Sequence, residues 1–156
     1  NIVFGINADG QGPFWVKVVV SSPTATPTAT TAPTLPPPPA PLHSSGVLNV
    51  SSSFTVDLDE GQITPPAANA DFWFESVSSI EKYITSKNSA IFVDMGVTAP
   101  SKDQCSGIII GLTKIPLSNS LVNHYLCYKT NLGRAGQFKI TAYDGSILSI
   151  NYATWE

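Results

Sequence analysis

The sequence predicts an all-β protein, a β-sandwich of Ig-like or jelly-roll-like type, preceded by an N-terminal β-hairpin and an extended linker. Two observations support this prediction. Short runs of β-branched and aromatic residues recur along the chain with turn formers between them, and one uncharged segment is rich in proline and threonine. We therefore divide the chain into residues 1–20, 21–45 and 46–156.

Residues 1–20 predict a β-hairpin. The runs IVFGI and FWVKVVV flank NADGQGP, a cluster of turn formers. A hairpin of two strands is at best marginally stable alone in water, so we expect these strands to pair with another element. The residues expected to make that contact are Phe4, Ile6, Phe14, Val16, Val18 and Val20.

Residues 21–45 predict an extended linker. Proline and threonine dominate this segment and no hydrophobic period is present, as is typical of polyproline II. At about 3.1 Å per residue, residues 21–42 reach on the order of 70 Å. Threonines flanked by proline and alanine are candidate acceptors for O-linked sugars, namely Thr24, Thr26, Thr28, Thr30, Thr31 and Thr34.

Residues 46–156 predict a sandwich of seven or eight strands. The stretch DFWFESV alternates, with Phe72 and Phe74 on one face and Trp73 and Glu75 on the other. Six further runs have the β-branched and aromatic content of strands, namely SSSFTVDLD, AIFVDMGV, SGIIIGL, HYLCYKT, GQFKITAY and SILSINYATW.

Two local signals qualify this strand pattern. Asp144 and Gly145 lie between two predicted strands and predict a two-residue type I′ turn. The stretch SVSSIEKYIT, residues 76–85, is the only one that invites a helical interpretation.

Composition and charge argue against several functions. Only 12% of the residues are charged, against roughly 25% in an average domain, and the net charge is −3. Such a chain has no excess of positive charge that would attract a nucleic acid. No apolar run approaches the roughly 20 residues that span a bilayer. The chain starts at Asn1 without a methionine or signal peptide, so we expect that cleavage produced this end or that an upstream region is missing.

Cys105 and Cys127 are the only cysteines, and strand-like sequence surrounds both. They predict a disulfide, with two free buried thiols as the alternative. Their spacing relative to His43 and His124 does not fit a zinc site. A disulfide places the protein in an oxidising compartment, outside the cell or at its surface.

Several motifs occur in fixed order in the third segment, namely DLDEG, DFWFESVSSIEKYIT, IPLS, YLCYKTNLGRAGQFKI and LSINYATWE, together with the two cysteines. This pattern resembles a small domain that recurs, after Thr/Pro-rich linkers, in surface and secreted proteins of filamentous, often thermophilic bacteria. The resemblance implies an extracellular β domain with a disulfide and brings no known activity.

The acidic residues suggest two kinds of site. Asp57, Asp59 and Glu60 partly resemble a calcium loop but lack its remaining ligands, so we favour a solvated strand end with a glycine turn. Asp71 and Glu75 are the carboxylates of DFWFESV and could serve glycoside hydrolysis. Four residues apart in a strand, they would be roughly 13 Å apart, too far for that role.

The remaining chemical candidates are weak. No sequence motif places a nucleophilic serine beside His124, and we interpret this histidine as structural. Some of the tryptophans and tyrosines could form a flat platform for sugars, although most are needed for the core. These aromatic residues are Trp15, Trp73, Trp155, Tyr83, Tyr125, Tyr128, Tyr143 and Tyr152.

From the sequence we predict no catalytic residue, no metal and no cofactor.

Taken together, these features favour a non-enzymatic, extracellular structural subunit. N-terminal strands on a long tether could complete the sheet of a neighbouring copy, and repetition of that contact head to tail would give a filament. The alternative is a surface module that binds glycans or envelope components on a Pro/Thr-rich stalk. The expected partners are copies of the same chain, with covalent glycans on the linker.

Overall fold

A computed structural model describes residues 3–6, 14–17 and 39–156. The chain divides into two units, Asn1–Pro37 and Pro38–Glu156. Several predictions fall outside the described residues: the contact residues Val18 and Val20, most of the linker, and the candidate O-glycosylation sites from Thr24 to Thr34.

The described part of the first unit is a pair of antiparallel strands, β1 (Val3–Ile6) and β2 (Phe14–Lys17). Phe4 lies opposite Val16, and Ile6 lies opposite Phe14. Residues directly opposite one another in an antiparallel pair belong to the same face. Four of the six predicted contact residues therefore share one face of this pair.

The second unit consists of two antiparallel sheets of five strands each. The first sheet has the order β3-β12-β11-β10-β8, and the second sheet has the order β5-β4-β6-β7-β9. The elements are β3 (Leu42–Ser51), β4 (Thr55–Asp57), β5 (Gln62–Ile63), β6 (Phe72–Ser76), β7 (Lys82–Ser86), β8 (Ile91–Asp94), α1 (Lys102–Ser106), β9 (Lys114–Pro116), β10 (Tyr125–Lys129), β11 (Ala135–Tyr143) and β12 (Ile147–Trp155). The all-β prediction is confirmed, while the Ig-like or jelly-roll-like assignment stays a prediction.

The core lies between the two sheets and is rich in aromatic rings. Phe72 of the second sheet meets Phe92 of the first edge to face, with ring centroids 5.8 Å apart. Phe72 also lies 6.0 Å from Phe138. Phe72 and Phe74 are fully buried, as the alternation of DFWFESV predicts. Aromatic pairs of this kind add about 0.5–1.5 kcal/mol each beyond the burial of their area.

The helical interpretation of residues 76–85 is wrong. This stretch forms a turn and then enters β7, where Tyr83 is half-buried and Ile84 is buried. Val77 and Ile80, which a helix would place on one face with Ile84, are 55% and 86% exposed, so burial does not follow the helical period. Pairing of β7 with both β6 and β9 fixes the extended conformation.

The strand prediction for SGIIIGL, residues 106–112, is also wrong. Ser106 ends helix α1, and Leu112 makes a single bridge to Phe92. The helix begins with a capping box in which the Ser101 side chain accepts from the Gln104 N–H and the Gln104 side chain accepts from the Ser101 N–H. This Ser-x-x-Gln signal is present in the sequence.

The turn at Asp144 and Gly145 forms, but it is not a two-residue type I′ turn. Three residues separate β11 from β12, and only Gly145 has a positive φ, of 89°. Asp144 Oδ1 accepts hydrogen bonds from the N–H groups of Ser146 and Ile147 at 2.8 and 2.7 Å. This side-chain acceptor stabilises the longer turn.

The first strand of the second unit begins within the predicted linker. Strand β3 starts at Leu42, whereas the sequence suggested a boundary near residue 46. Polar residues such as Ser44 and Ser45 occur in this strand because one of its faces is exposed, so its sequence does not resemble a strand. The length of β3 comes from its pairing with β12.

Candidate functional site

Three buried aspartates meet at one end of the two-sheet domain. Asp57 ends β4, Asp59 follows in the next turn, and Asp71 immediately precedes β6, the partner of β4. They are 3%, 2% and 0% exposed, and one carboxylate oxygen from each lies within 4.8 Å of the others. The preferred interpretation of DLDEG as a solvated strand end is therefore wrong for both aspartates, and only Glu60 is exposed.

Asp71 holds backbone groups from two distant segments. Its Oδ2 accepts a hydrogen bond from the Leu58 N–H, and its Oδ1 accepts one from the Asn131 N–H, each at 2.7 Å. Leu58 follows β4 of the second sheet, while Asn131 lies in the β10–β11 loop of the first. This one side chain therefore connects the two sheets.

Asp57 and Asp59 have different partners. Asp57 Oδ1 accepts hydrogen bonds from the N–H groups of Asp59 and Glu60 at 2.8 and 3.1 Å and so shapes the turn after β4. Asp59 Oδ1 pairs with the Arg134 guanidinium at 3.2 Å. Asp59 Oδ2 is buried without a hydrogen-bond partner among the described residues.

The position of Leu58 is fixed at both of its backbone groups. Its carbonyl oxygen accepts a hydrogen bond from Thr154 Oγ1 at 2.5 Å, and the Thr154 hydroxyl is itself hydrogen-bonded to the Tyr128 hydroxyl at 2.7 Å. Ser44 Oγ donates to the same carbonyl at 2.8 Å. The aspartate cluster and this hydroxyl chain together hold the turn after β4 against the first sheet.

Burial raises the pKa of Asp71 to about 7. The hydrogen bonds from Asn131 and Leu58 act in the opposite direction, and the negative charges of Asp59 and Asp57 raise the pKa further. Burial disfavours the charged form of a carboxyl group, so Asp71 holds its proton to a higher pH than an exposed aspartate does.

Metal binding is the other role that the three aspartates suggest. Carboxylate oxygens are the ligands that hard cations prefer, and Asp57, Asp59 and Asp71 are the described residues that could hold one. The positive charge of Arg134 lies against the cluster, and both oxygens of Asp71 are used by backbone donors. We therefore interpret the cluster as a structural connection between the sheets.

A second notable surface is the outer face of the second sheet. Trp73 lies opposite Thr85, and Glu75 lies opposite Tyr83, on the side away from the core. Thr85 donates to Glu75 at 2.6 Å and Lys114 pairs with it at 2.9 Å. The hydrogen bonds from Thr85 and Lys114 hold the pKa of Glu75 below its usual value.

Lysine ammonium groups lie over both aromatic rings of this face. Lys87 is 4.9 Å from the Trp73 centroid, and Lys114 is 4.2 Å from that of Tyr83. Of the other described aromatics that were candidates for a sugar platform, Tyr128, Tyr152 and Trp155 are buried, whereas Tyr125 and Tyr143 are half-buried. Trp15 belongs to β2, whose side chains are outside the described part of the chain.

The predicted disulfide is present between Cys105 and Cys127, with Cα atoms 5.0 Å apart. It attaches α1 to β10 on the outer face of the first sheet. Both cysteines are fully buried and form a small cluster with Trp155. The disulfide closes a loop of 22 residues around the segment that carries β9.

His124, the candidate base, lies just before β10. Its Nδ1 is 3.0 Å from the carboxylate of Asp94, which ends β8. The pair joins the ends of two neighbouring strands. This geometry agrees with the structural interpretation of His124.

Comparisons with known proteins give no match: no protein-family model, curated protein or solved structure is significantly similar to this chain. Within the described residues, no helix has the length and apolar character needed to cross a membrane.

Proposed function

We propose that this chain is a non-enzymatic, extracellular structural subunit that polymerises head to tail by donating its N-terminal strands to a neighbouring copy. The observation that carries the proposal is the antiparallel pair of β1 and β2, which forms a sheet of two strands. Two strands alone are marginal in water. Adding them to another copy's sheet would supply main-chain and apolar contacts beyond those of a single hairpin.

The remaining features support this assembly. The Pro/Thr-rich segment at residues 21–45, extended at about 3.1 Å per residue, would exceed a domain diameter of about 35 Å. The Cys105–Cys127 disulfide is compatible with an oxidising, extracellular or cell-surface location. In the assembled state, the contact residues would be Phe4, Ile6, Phe14, Val16, Val18 and Val20, and the linker threonines from Thr24 to Thr34 would carry any O-linked sugars.

Point substitutions on the two faces of the β1–β2 pair test this proposal. We expect Val16→Asp to abolish self-association, because it places a carboxylate on the apolar face formed with Phe4. Val3→Asp makes the same change on the opposite face and should retain assembly. Sedimentation velocity over a concentration series measures both. Assembly of the Val16→Asp chain at wild-type concentrations would refute the donated-strand mechanism.

A second candidate function is supported by the outer face of the second sheet. Trp73 and Tyr83, next to the hydrogen-bonded set of Glu75, Thr85 and Lys114, have the composition of a carbohydrate platform. In this case the chain would be a glycan- or envelope-binding module on a stalk.

Glycan-array binding tests this alternative. We expect Trp73→Ala to lose glycan binding. Tyr125→Ala is the matched control, because Tyr125 also has a lysine, Lys139, near its ring. This variant should keep glycan binding, because Tyr125 belongs to the first sheet. Equal binding by both variants, or none by the wild-type chain, would reject the platform.

A further inference from the structure

Four strands form the edges of the two sheets, and three of them are poorly suited to accept another strand. Strand β5 has two residues, and β9 has three, including Lys114 and Pro116. Strand β8 has four residues, and its edge is bridged by Leu112. Short edges, lysine, proline and covering segments are the devices by which sheets avoid further pairing.

Strand β3 differs from the other three edges. It has ten residues, and it contains neither proline nor any lysine, arginine, aspartate or glutamate. Strand β12 pairs with it from Leu42 to Ser51. Among the described residues, no strand pairs with its other side.

The free side of β3 offers both main-chain and apolar contacts. In an antiparallel pair, alternate residues direct their N–H and C=O groups away from the partner, so about half of the ten residues are available to a new strand. The side chain of Val47, in the middle of β3, is 65% exposed, while Val50 is buried in the core. An added strand would cover apolar surface and extend the core.

Resting on the proposed function, we infer that the free edge of β3 is the acceptor site and that its occupant is the run FWVKVVV, residues 14–20, of a second copy. This run is the longer of the two N-terminal strand sequences and so matches the long edge better than Val3–Ile6 does. It contains one charge, Lys17, and β3 contains no lysine or arginine that would repel it.

Two complementary variants test this inference. Val47→Lys places an ammonium group in the middle of β3 but leaves residues 1–20 unchanged, so this chain can donate and not accept. A chain lacking residues 1–20 can accept and not donate. The matched control is Val97→Lys, because Val97 is 68% exposed in the turn after β8. Circular dichroism melts establish that each chain is folded.

We expect the Val47→Lys chain and the shortened chain each to sediment as monomers. Mixed in equal amounts, they should give one complex whose mass is the sum of the two chains. The Val97→Lys chain alone should assemble as the wild type does. This combination supports β3 as the acceptor. The Val47→Lys chain can only donate its N-terminal strands and the shortened chain can only accept them, so their complex stops at one copy of each.

Other outcomes overturn the inference in distinguishable ways. If Val47→Lys assembles like the wild type while the shortened chain does not, the acceptor lies elsewhere and the proposed function survives. If the two monomeric chains form no complex, β3 is not the acceptor. A wild-type chain that is monomeric at every concentration contradicts the proposed function itself, as expected if residues 1–20 pair within their own chain.

Discussion

Asp71 and Asn131 lie sixty residues apart in the sequence, and the Asn131 N–H donates a 2.7 Å hydrogen bond to Asp71 Oδ1. The other oxygen of the same carboxyl group accepts from Leu58. A fully buried side chain thus joins a turn of the second sheet to a loop of the first. The stability of the domain should depend on this connection.

We expect Asp71→Ala to destabilise the domain by roughly 2 to 5 kcal/mol, because it removes the acceptor of the buried Leu58 N–H and of the part-buried Asn131 N–H. Urea unfolding followed by tryptophan fluorescence measures the change in the free energy of unfolding. Asp103→Ala, on the exposed surface of α1, serves as the control and should change it by less than about 0.5 kcal/mol. Equal effects of the two substitutions would contradict the structural role of Asp71.

Stability should also depend on pH through Asp71. The pKa of this carboxyl group is about 7 in the folded domain, against about 3.9 in an unfolded chain. The folded state therefore binds the proton more tightly. The stabilisation is fully present below about pH 4 and is lost as the pH rises through about 7.

The comparison of the wild type with Asp71→Asn isolates this contribution. As the pH rises from about 4 to 7, the unfolding free energy of the wild type should fall relative to that of Asp71→Asn. The fall should be at most about 1.4 kcal/mol per pH unit. Urea titrations in the presence of EDTA, at several pH values, measure it. A difference that is independent of pH, or that moves in favour of the wild type, would show that Asp71 is ionised throughout.

Gly136 lies directly opposite Tyr128, and a methyl group at this position would overlap the buried tyrosine ring. We expect Gly136→Ala to cost about 1–3 kcal/mol through overpacking. At Gly46 the same methyl group would meet the Tyr152 ring at an ordinary 3.5 Å, so Gly46→Ala should be neutral or slightly stabilising. Thermal melts of both variants distinguish a steric cause from a general intolerance of alanine.

The disulfide should make a measurable contribution to stability. Closing a loop of 22 residues is worth about 3 kcal/mol in the chain-entropy model. We expect the double variant Cys105→Ala, Cys127→Ala to lose that amount and to remain folded, because the main core lies between the sheets and does not include these residues. Urea unfolding measures the loss, and the reduced wild type should behave like the double variant.

Local patterns predicted much of the fold. The strands around Phe72, Cys127 and Phe138 were found because alternation and β-branched content are properties of short stretches. The disulfide followed from two cysteines in strand-like sequence. Strand β7 did not follow from its local pattern, because its extended conformation depends on pairing with β6 and β9.

The aspartate cluster was not predicted because it depends on contacts between distant residues. The sequence grouped Asp57 and Asp59 with Glu60 as a solvated strand end, and nothing local shows that Asp71 and Arg134 approach them. The free edge of β3 was missed for a similar reason. His43, Ser44 and Ser45 follow a proline run and precede Gly46, so the segment resembles the end of a linker.

Negative-stain electron microscopy of the full chain beside a chain lacking residues 1–20 tests the central claim most directly. The donated-strand account predicts filaments from the full chain and separate particles from the shortened one. Filaments from both chains, or separate particles from both, would contradict it.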